Sequence, residues 1–210
     1  MKNCSILKNR PTFRNLLSTC AIGLAVAFTV SPPQPARADP VTPPPVPANI
    51  QVPDGNQAFL EGHGVGTQNY ICLPSRSGFA FSLFTPEATL FKDNDKQITT
   101  HFFSPNLFED GKIRATWQDS KDTSTVWGGD AISSSDPDFV APDAVPWLLL
   151  PVAGAQEGPT GGETLTKTTF IQRLNTSGGV APSTGCDSSA DVGARVFVPY
   201  TADYFFYEAR

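Results

Sequence analysis

No window of a dozen residues in this chain combines helical periodicity with freedom from proline and glycine. That absence rules out most ways of filling a core with helices. From about Gln57 onward the chain runs as short apolar or alternating stretches between clusters of Gly, Pro, Asn, Asp and Ser, the punctuation of strands and turns. Alternation is cleanest in Lys112-Ile113-Arg114-Ala115-Thr116-Trp117, where Ile113, Ala115 and Trp117 share one face. Further strands are predicted over 58–61, 69–73, 79–84, 89–91, 98–103, 123–127, 147–152, 165–173, 196–199 and 203–207. Many short strands around an aromatic-rich core predict an all-β single domain, either an antiparallel β-sandwich or a partly closed barrel.

The first 38 residues read differently. Lys2, Lys8, Arg10 and Arg14 precede an apolar run from Leu16 to Val30, and Ala36-Arg37-Ala38 follows. This is the three-part pattern of a signal peptide, with cleavage expected after Ala38. The run is about 15 residues, short of the roughly 20 that span a bilayer as a helix. The protein is therefore expected to be exported, to the periplasm, the medium or the cell surface, with no membrane insertion after cleavage. Cleavage leaves 172 of 210 residues, and it removes five of the 15 basic residues and none of the 20 acidic ones. The resulting formal charge of −10, from 10 basic and 20 acidic residues, repels phosphate backbones, so no nucleic acid partner is expected. Residues 39–56, carrying Pro40, Pro43, Pro44, Pro45, Pro47 and Pro53, read as an extended proline-rich linker to a domain over 57–210.

Cys4 and Cys20 leave with the signal, so two of the four cysteines remain. In an exported chain Cys72 and Cys186 are most simply one disulfide. Each closes a dense motif: Gly64-Val65-Gly66-Thr67-Gln68-Asn69-Tyr70-Ile71-Cys72, and Gln172-Arg173-Leu174-Asn175-Thr176-Ser177-Gly178-Gly179 leading to Gly185-Cys186. The bridge would bring the two motifs together. In the second, the Arg173 guanidinium can hold a carboxylate through two hydrogen bonds. The carboxylate is either internal, with Asp203 as the expected partner, or part of an acidic ligand.

Familiar catalytic signatures are missing. Gly62-His63-Gly64-Val65-Gly66 lacks the third glycine and the following helix of a dinucleotide fingerprint, and reads better as glycines permitting close packing in a strand. There is no Gly-x-Ser-x-Gly, His-Glu-x-x-His or Cys-x-x-Cys. Two histidines, His63 and His101, exclude a three-histidine metal site. No metal and no cofactor is expected. The candidate binding residues are His101, Trp117, Gln172, Arg173, Asn175, Tyr200 and Asp203. Trp127, Trp147, Tyr70, Tyr204 and Tyr207 add flat apolar faces with polar tips. They suit a small-molecule or glycan ligand, although core packing is the simpler account of any single aromatic. The functional reading is a non-catalytic ligand-binding or cell-surface structural protein. The alternative is a secreted hydrolase-like enzyme using His101 with Asp119 or Asp122 and Arg173.

Taken in order, the Gly64–Cys72 block, Ala88-Thr89-Leu90, the His101 region, Thr116-Trp117, Val126-Trp127-Gly128, Trp147-Leu148-Leu149, the Gln172–Cys186 motif and Val198-Pro199-Tyr200-Thr201-Ala202-Asp203-Tyr204 resemble the exported proteins grouped as domain of unknown function 3455. The resemblance covers the chain from about residue 57 to its end. It implies a shared fold and export, and it supplies no reaction. This chain departs from the commoner pattern twice. Arg114-Ala115-Thr116-Trp117 stands where Gly-Pro-Thr-Trp is usual, and Asp122-Thr123-Ser124 stands where Asp-Gly-Ser is usual.

Overall fold

The computed structural model describes residues 41–210, so the expected signal peptide over 1–38 lies outside the described residues. Nine strands follow in chain order: β1 (Asn56–Ser75), β2 (Gly78–Phe91), β3 (Gln97–Asn106), β4 (Lys112–Asp119), β5 (Thr125–Gly128), β6 (Ile132–Ser134), β7 (Trp147–Gln156), β8 (Thr168–Gly178) and β9 (Arg195–Ala209). The sheet order is β5-β4-β3-β2-β1-β9-β8-β7-β6, and β5 also pairs with β7. Eight antiparallel strands thus close into a barrel, while β6 continues along the edge of β7. Of the two expected architectures the barrel is the one formed, and its closure is complete rather than partial. Closure removes the unpaired edges of an open sheet.

The strands are longer than the punctuation predicts. The stretches at 58–61 and 69–73 fuse into the 20-residue β1, those at 79–84 and 89–91 into β2, and those at 196–199 and 203–207 into the 15-residue β9. Glycine explains β1. Gly62, Gly64 and Gly66 point into the barrel, where a Cβ would lie 2.8 Å from Ile98 Cδ1, 2.8 Å from the Tyr204 ring and 2.0 Å from Glu87 O respectively. Here glycine allows close approach and does not end the strand. Register shifts at Ala58/Leu60 and Asn69/Tyr70 bend the strand around the barrel.

Two cores flank the barrel wall. Inside lie Leu60, Leu90, Ile98, Trp117, Val126, Leu165, Ile171, Tyr204 and Phe206. Outside, on the far face of β7, β8 and β9, lie Ile50, Val140, Trp147, Leu149, Leu174, Phe205 and Tyr207. The outer core corrects the linker reading for part of its length. Ile50, in a single 3-10 turn over Ala48–Ile50, is fully buried, Val46 and Val52 pack beside it, and its carbonyl accepts from Gln172 Nε2 at 2.7 Å. Burying an isoleucine stabilises by about 1.5–3 kcal/mol, enough to hold a proline-rich segment on the wall. Cys72 and Cys186 form the expected disulfide, with Cα atoms 5.5 Å apart. The bridge ties the 179–194 loop to the β1–β2 hairpin, where Cys72 N also donates to Ala194 O at 2.8 Å.

Candidate functional site

Two prolines mark where the barrel wall loosens. The β2–β3 ladder runs only from Ala88 to Phe91, and Pro86, which has no N–H to donate, stands just before it. Across the barrel, the β5–β7 register shifts at Trp127/Gly128, opposite 152–154, Gly129 N donates to the neighbouring Pro151 O, and residues 129–131 separate β5 from β6. At this end the aromatic filling stops at Trp117 and Tyr204, and a cavity of about 270 Å³ remains. Its apolar wall comes from Leu83, Pro86, Phe103, Ile113, Ala115, Leu148 and Leu150. Leu83 and Ile113 are 45% and 57% exposed, which places them on the rim.

Polar side chains on the cavity wall come from five strands, Gln68 on β1, His101 on β3, Arg114 on β4, Arg173 on β8 and Tyr204 on β9, with Asp130 from the segment after β5; Arg114 and Asp130 are paired with each other. His101 stacks on Trp117, with centroids 4.2 Å apart and planes 9° from parallel. Its Nδ1 lies 2.9 Å from Thr116 O. A carbonyl can only accept, so Nδ1 carries the proton and Nε2 keeps its lone pair. Burial pushes the His101 pKa down to about 3, and the nearby Arg173 charge adds to the effect, so the ring is neutral. Tyr200 and Tyr204 share a hydrogen bond at 3.0 Å. Burial raises both phenols above their ordinary range, so both stay protonated.

Arg173 enters the cavity because β8 alternates. Gln172 points outward, where its Nε2 holds Ile50 and its Oε1 accepts from the Tyr207 hydroxyl. Leu174 points outward into the second core, and Arg173, between them, points inward. The guanidinium is 8% exposed, donates from NH2 to Pro146 O at 2.9 Å and sits beside the Tyr204 hydroxyl. Among the described residues no carboxylate pairs with it. The expected Arg173–Asp203 pair is therefore absent. Asp203 pairs in register with Leu174 and His63, and its side chain lies on the outer wall.

The seven candidate binding residues thus divide. His101, Trp117 and Arg173 meet at the cavity, and Tyr200 supports it through Tyr204. Gln172 is a fastener of the outer core. Asn175 and Asp203 belong to an outer cluster, where Asn175 Nδ2 donates to Asp203 Oδ2 at 2.8 Å. In that cluster His63 has Asp203 Oδ1 2.7 Å from Nδ1 and Asp93 Oδ1 2.9 Å from Nε2. Carboxylates on both ring nitrogens make it a doubly donating imidazolium, and its pKa is raised, chiefly by Asp203. Glu61, His63 and Asp203 present donor atoms within 4.8 Å of one another, a spacing that a cation could bridge. Both ring nitrogens are already committed to carboxylates, so the geometry is that of ion pairs.

The carboxylates expected near His101 are engaged elsewhere. Asp119 accepts from Lys121 N and Asp122 N, each at 2.8 Å. Asp122 accepts from Ser124 and Thr164, bonds that hold its pKa well down despite burial. Both fasten the turn at the other end of β4 from Ile113. Sequence reasoning passed over Gln68, Glu61 and His63. Alternation was the available signal: with Gly62 and Gly64 facing in, Glu61 and His63 must share the outer face.

No curated protein and no solved structure matches the chain. Residues 53–208, covering all nine strands but for the last residue of β9, match the family described as Protein of unknown function (DUF3455), and the chain belongs to that family.

Proposed function

We propose that this is an exported, non-catalytic binding domain that holds one small molecule in the open end of its barrel. The supporting observation is the cavity of about 270 Å³, which joins an apolar wall to a few convergent polar side chains. An eight-stranded barrel has room inside for packed side chains or for one small ligand. Here side chains fill one end and leave the other. The volume falls just below the roughly 300–1,000 Å³ of pockets for drug-sized ligands, so the occupant is small. The pattern over residues 1–38 supports export, and the Cys72–Cys186 bridge suits an oxidising compartment.

A glycan platform has less support, because Trp117, Trp127 and Trp147 are only 1%, 5% and 4% exposed. A hydrolase built on His101 lacks a carboxylate to orient the ring. The test uses Trp117 as reporter, after Trp127→Phe and Trp147→Phe leave it as the sole remaining indole of three. Small aliphatic and aromatic compounds should change its emission saturably, with one site per chain. Ala115→Phe, which places a ring in the cavity, should abolish the change while melting stays cooperative. No saturable response to any compound at millimolar concentration would sink the reading.

A further inference from the structure

Resting on that reading of the cavity, we propose that its occupant is a monoanion: a small carboxylic acid with an apolar body, its carboxylate held by Arg173. The argument begins with an uncompensated charge. A buried guanidinium without a counter-ion is costly, and Arg173, 8% exposed, has only neutral partners, the Pro146 carbonyl and the Tyr204 hydroxyl. Scarcity of acids does not explain this, since the chain carries 20 acidic residues against 15 basic ones.

The one carboxylate on the lining, Asp130, is already paired with Arg114 and Lys112 at the rim and does not reach Arg173. His101 is neutral, and Tyr200 and Tyr204 remain protonated phenols. Apart from the lone pair on His101 Nε2, the open polar atoms of the wall share one polarity. Arg173 Nε, Gln68 Nε2 and Trp117 Nε1 are buried without a partner, and all three are N–H donors with no acceptor role. A ligand that completes this wall must bring acceptors, and a carboxylate brings two oxygens able to take a guanidinium in parallel hydrogen bonds. One cation matches one negative charge, which favours a carboxylate over a phosphate dianion. Leu148, Leu150, Phe103 and Ile113 receive the apolar remainder of the molecule.

The experiment compares isosteres on the native chain by calorimetric titration at neutral pH: benzoate, benzamide and benzylamine, then hexanoate and hexanol. Carboxylates should bind roughly ten- to a hundredfold more tightly than their neutral counterparts, the worth of charge-assisted hydrogen bonds, and benzylamine should bind weakest. Arg173→Gln should remove that preference and leave benzamide and hexanol within about twofold of their native affinity. Neutral compounds binding as tightly as carboxylates would overturn the anion assignment while leaving the cavity reading intact. An unchanged carboxylate preference in Arg173→Gln would overturn the role of Arg173. If no compound binds, both readings fail together. Should the variant not fold, the isostere series on the native chain decides the charge question by itself.

Discussion

At the rim of the cavity, on the outward face of β4, Arg114, 9% exposed, donates to Glu109 from Nε at 2.8 Å and NH2 at 2.6 Å, and from NH1 to Asp130. Inside the barrel Arg173, equally buried, meets a carbonyl and no carboxylate. The two histidines repeat the contrast: His63 lies outside between two carboxylates, and His101 lies inside, neutral and stacked on Trp117. The outer wall neutralises its cations within the fold, as stability requires of poorly hydrated charge. The interior leaves one open. The difference separates groups that hold the protein together from groups left for something else to complete.

The largest expected effect tests whether scaffold and cavity are separable. Reducing Cys72–Cys186, which are 114 residues apart, should cost about 4 to 5 kcal/mol in the chain-entropy account. Denaturant titration reads the loss, and affinity at the cavity should be unchanged under conditions where the reduced protein remains folded. A smaller stability loss with a large loss of binding would show that the 179–194 loop shapes the cavity.

Acid should separate the histidines. His101 has a folded pKa of about 3 against about 6.5 when unfolded. Between these values the unfolded chain binds a proton that the folded chain refuses, so stability falls as pH drops. By pH 4 the loss is about 3 kcal/mol, and His101→Gln should flatten that limb. His63 runs the other way: its raised pKa gives a contribution fully present below about pH 6.5 and lost as pH rises through the folded value. His63→Gln should flatten the alkaline side, by a smaller amount because the side chain is 40% exposed. Melting temperature against pH for the two variants checks both signs.

Replacing each arginine by methionine sharpens the comparison directly. Arg114→Met should lower the melting temperature by a few degrees, since Glu109, whose carboxyl Arg114 holds down to about 2, then loses its counter-charge. Arg173→Met should leave the melting temperature unchanged or raised in the absence of ligand, because it removes an unpaired buried charge. Equal destabilisation by both would mean that Arg173 has a structural partner after all. The smallest effect lies at the other end of β4. Thr123 has φ +60°, a left-handed conformation costly for a β-branched residue. Thr123→Gly should stabilise by about 0.5–1 kcal/mol and leave the cavity untouched.

Thr123 also shows how far the sequence could be read. The resemblance placed a glycine-type turn at Asp122-Thr123-Ser124, and the backbone keeps that conformation although the residue changed. The disulfide was legible because two thiols allow one pairing. The β class was legible because alternation and turn residues are local signals. Strand fusion was not, because Gly62–Gly66 punctuates a sequence in the same way whether it ends a strand or lets one pass close to Tyr204. The tether reading did not anticipate Ile50, where a few apolar residues among prolines, Val46, Ile50 and Val52, meet a hydrophobic wall built by strands more than 90 residues away.

Arg173 marks the boundary between the two kinds of information. The sequence by itself determined that Arg173 would sit in a strand on the opposite face from its neighbour Gln172, because side chains alternate with a period of two. It determined nothing about which face was the interior or which strand lay opposite. Register decided that: Arg173 pairs with Tyr204 and Leu174 with Asp203, a match set by closure of eight strands and by bulges such as the one between Leu174 and Ser177. A one-residue slip would have exchanged the faces and offered Asp203 to the cavity. Tertiary structure put the aspartate on the outer wall with His63 and left the guanidinium inside without one.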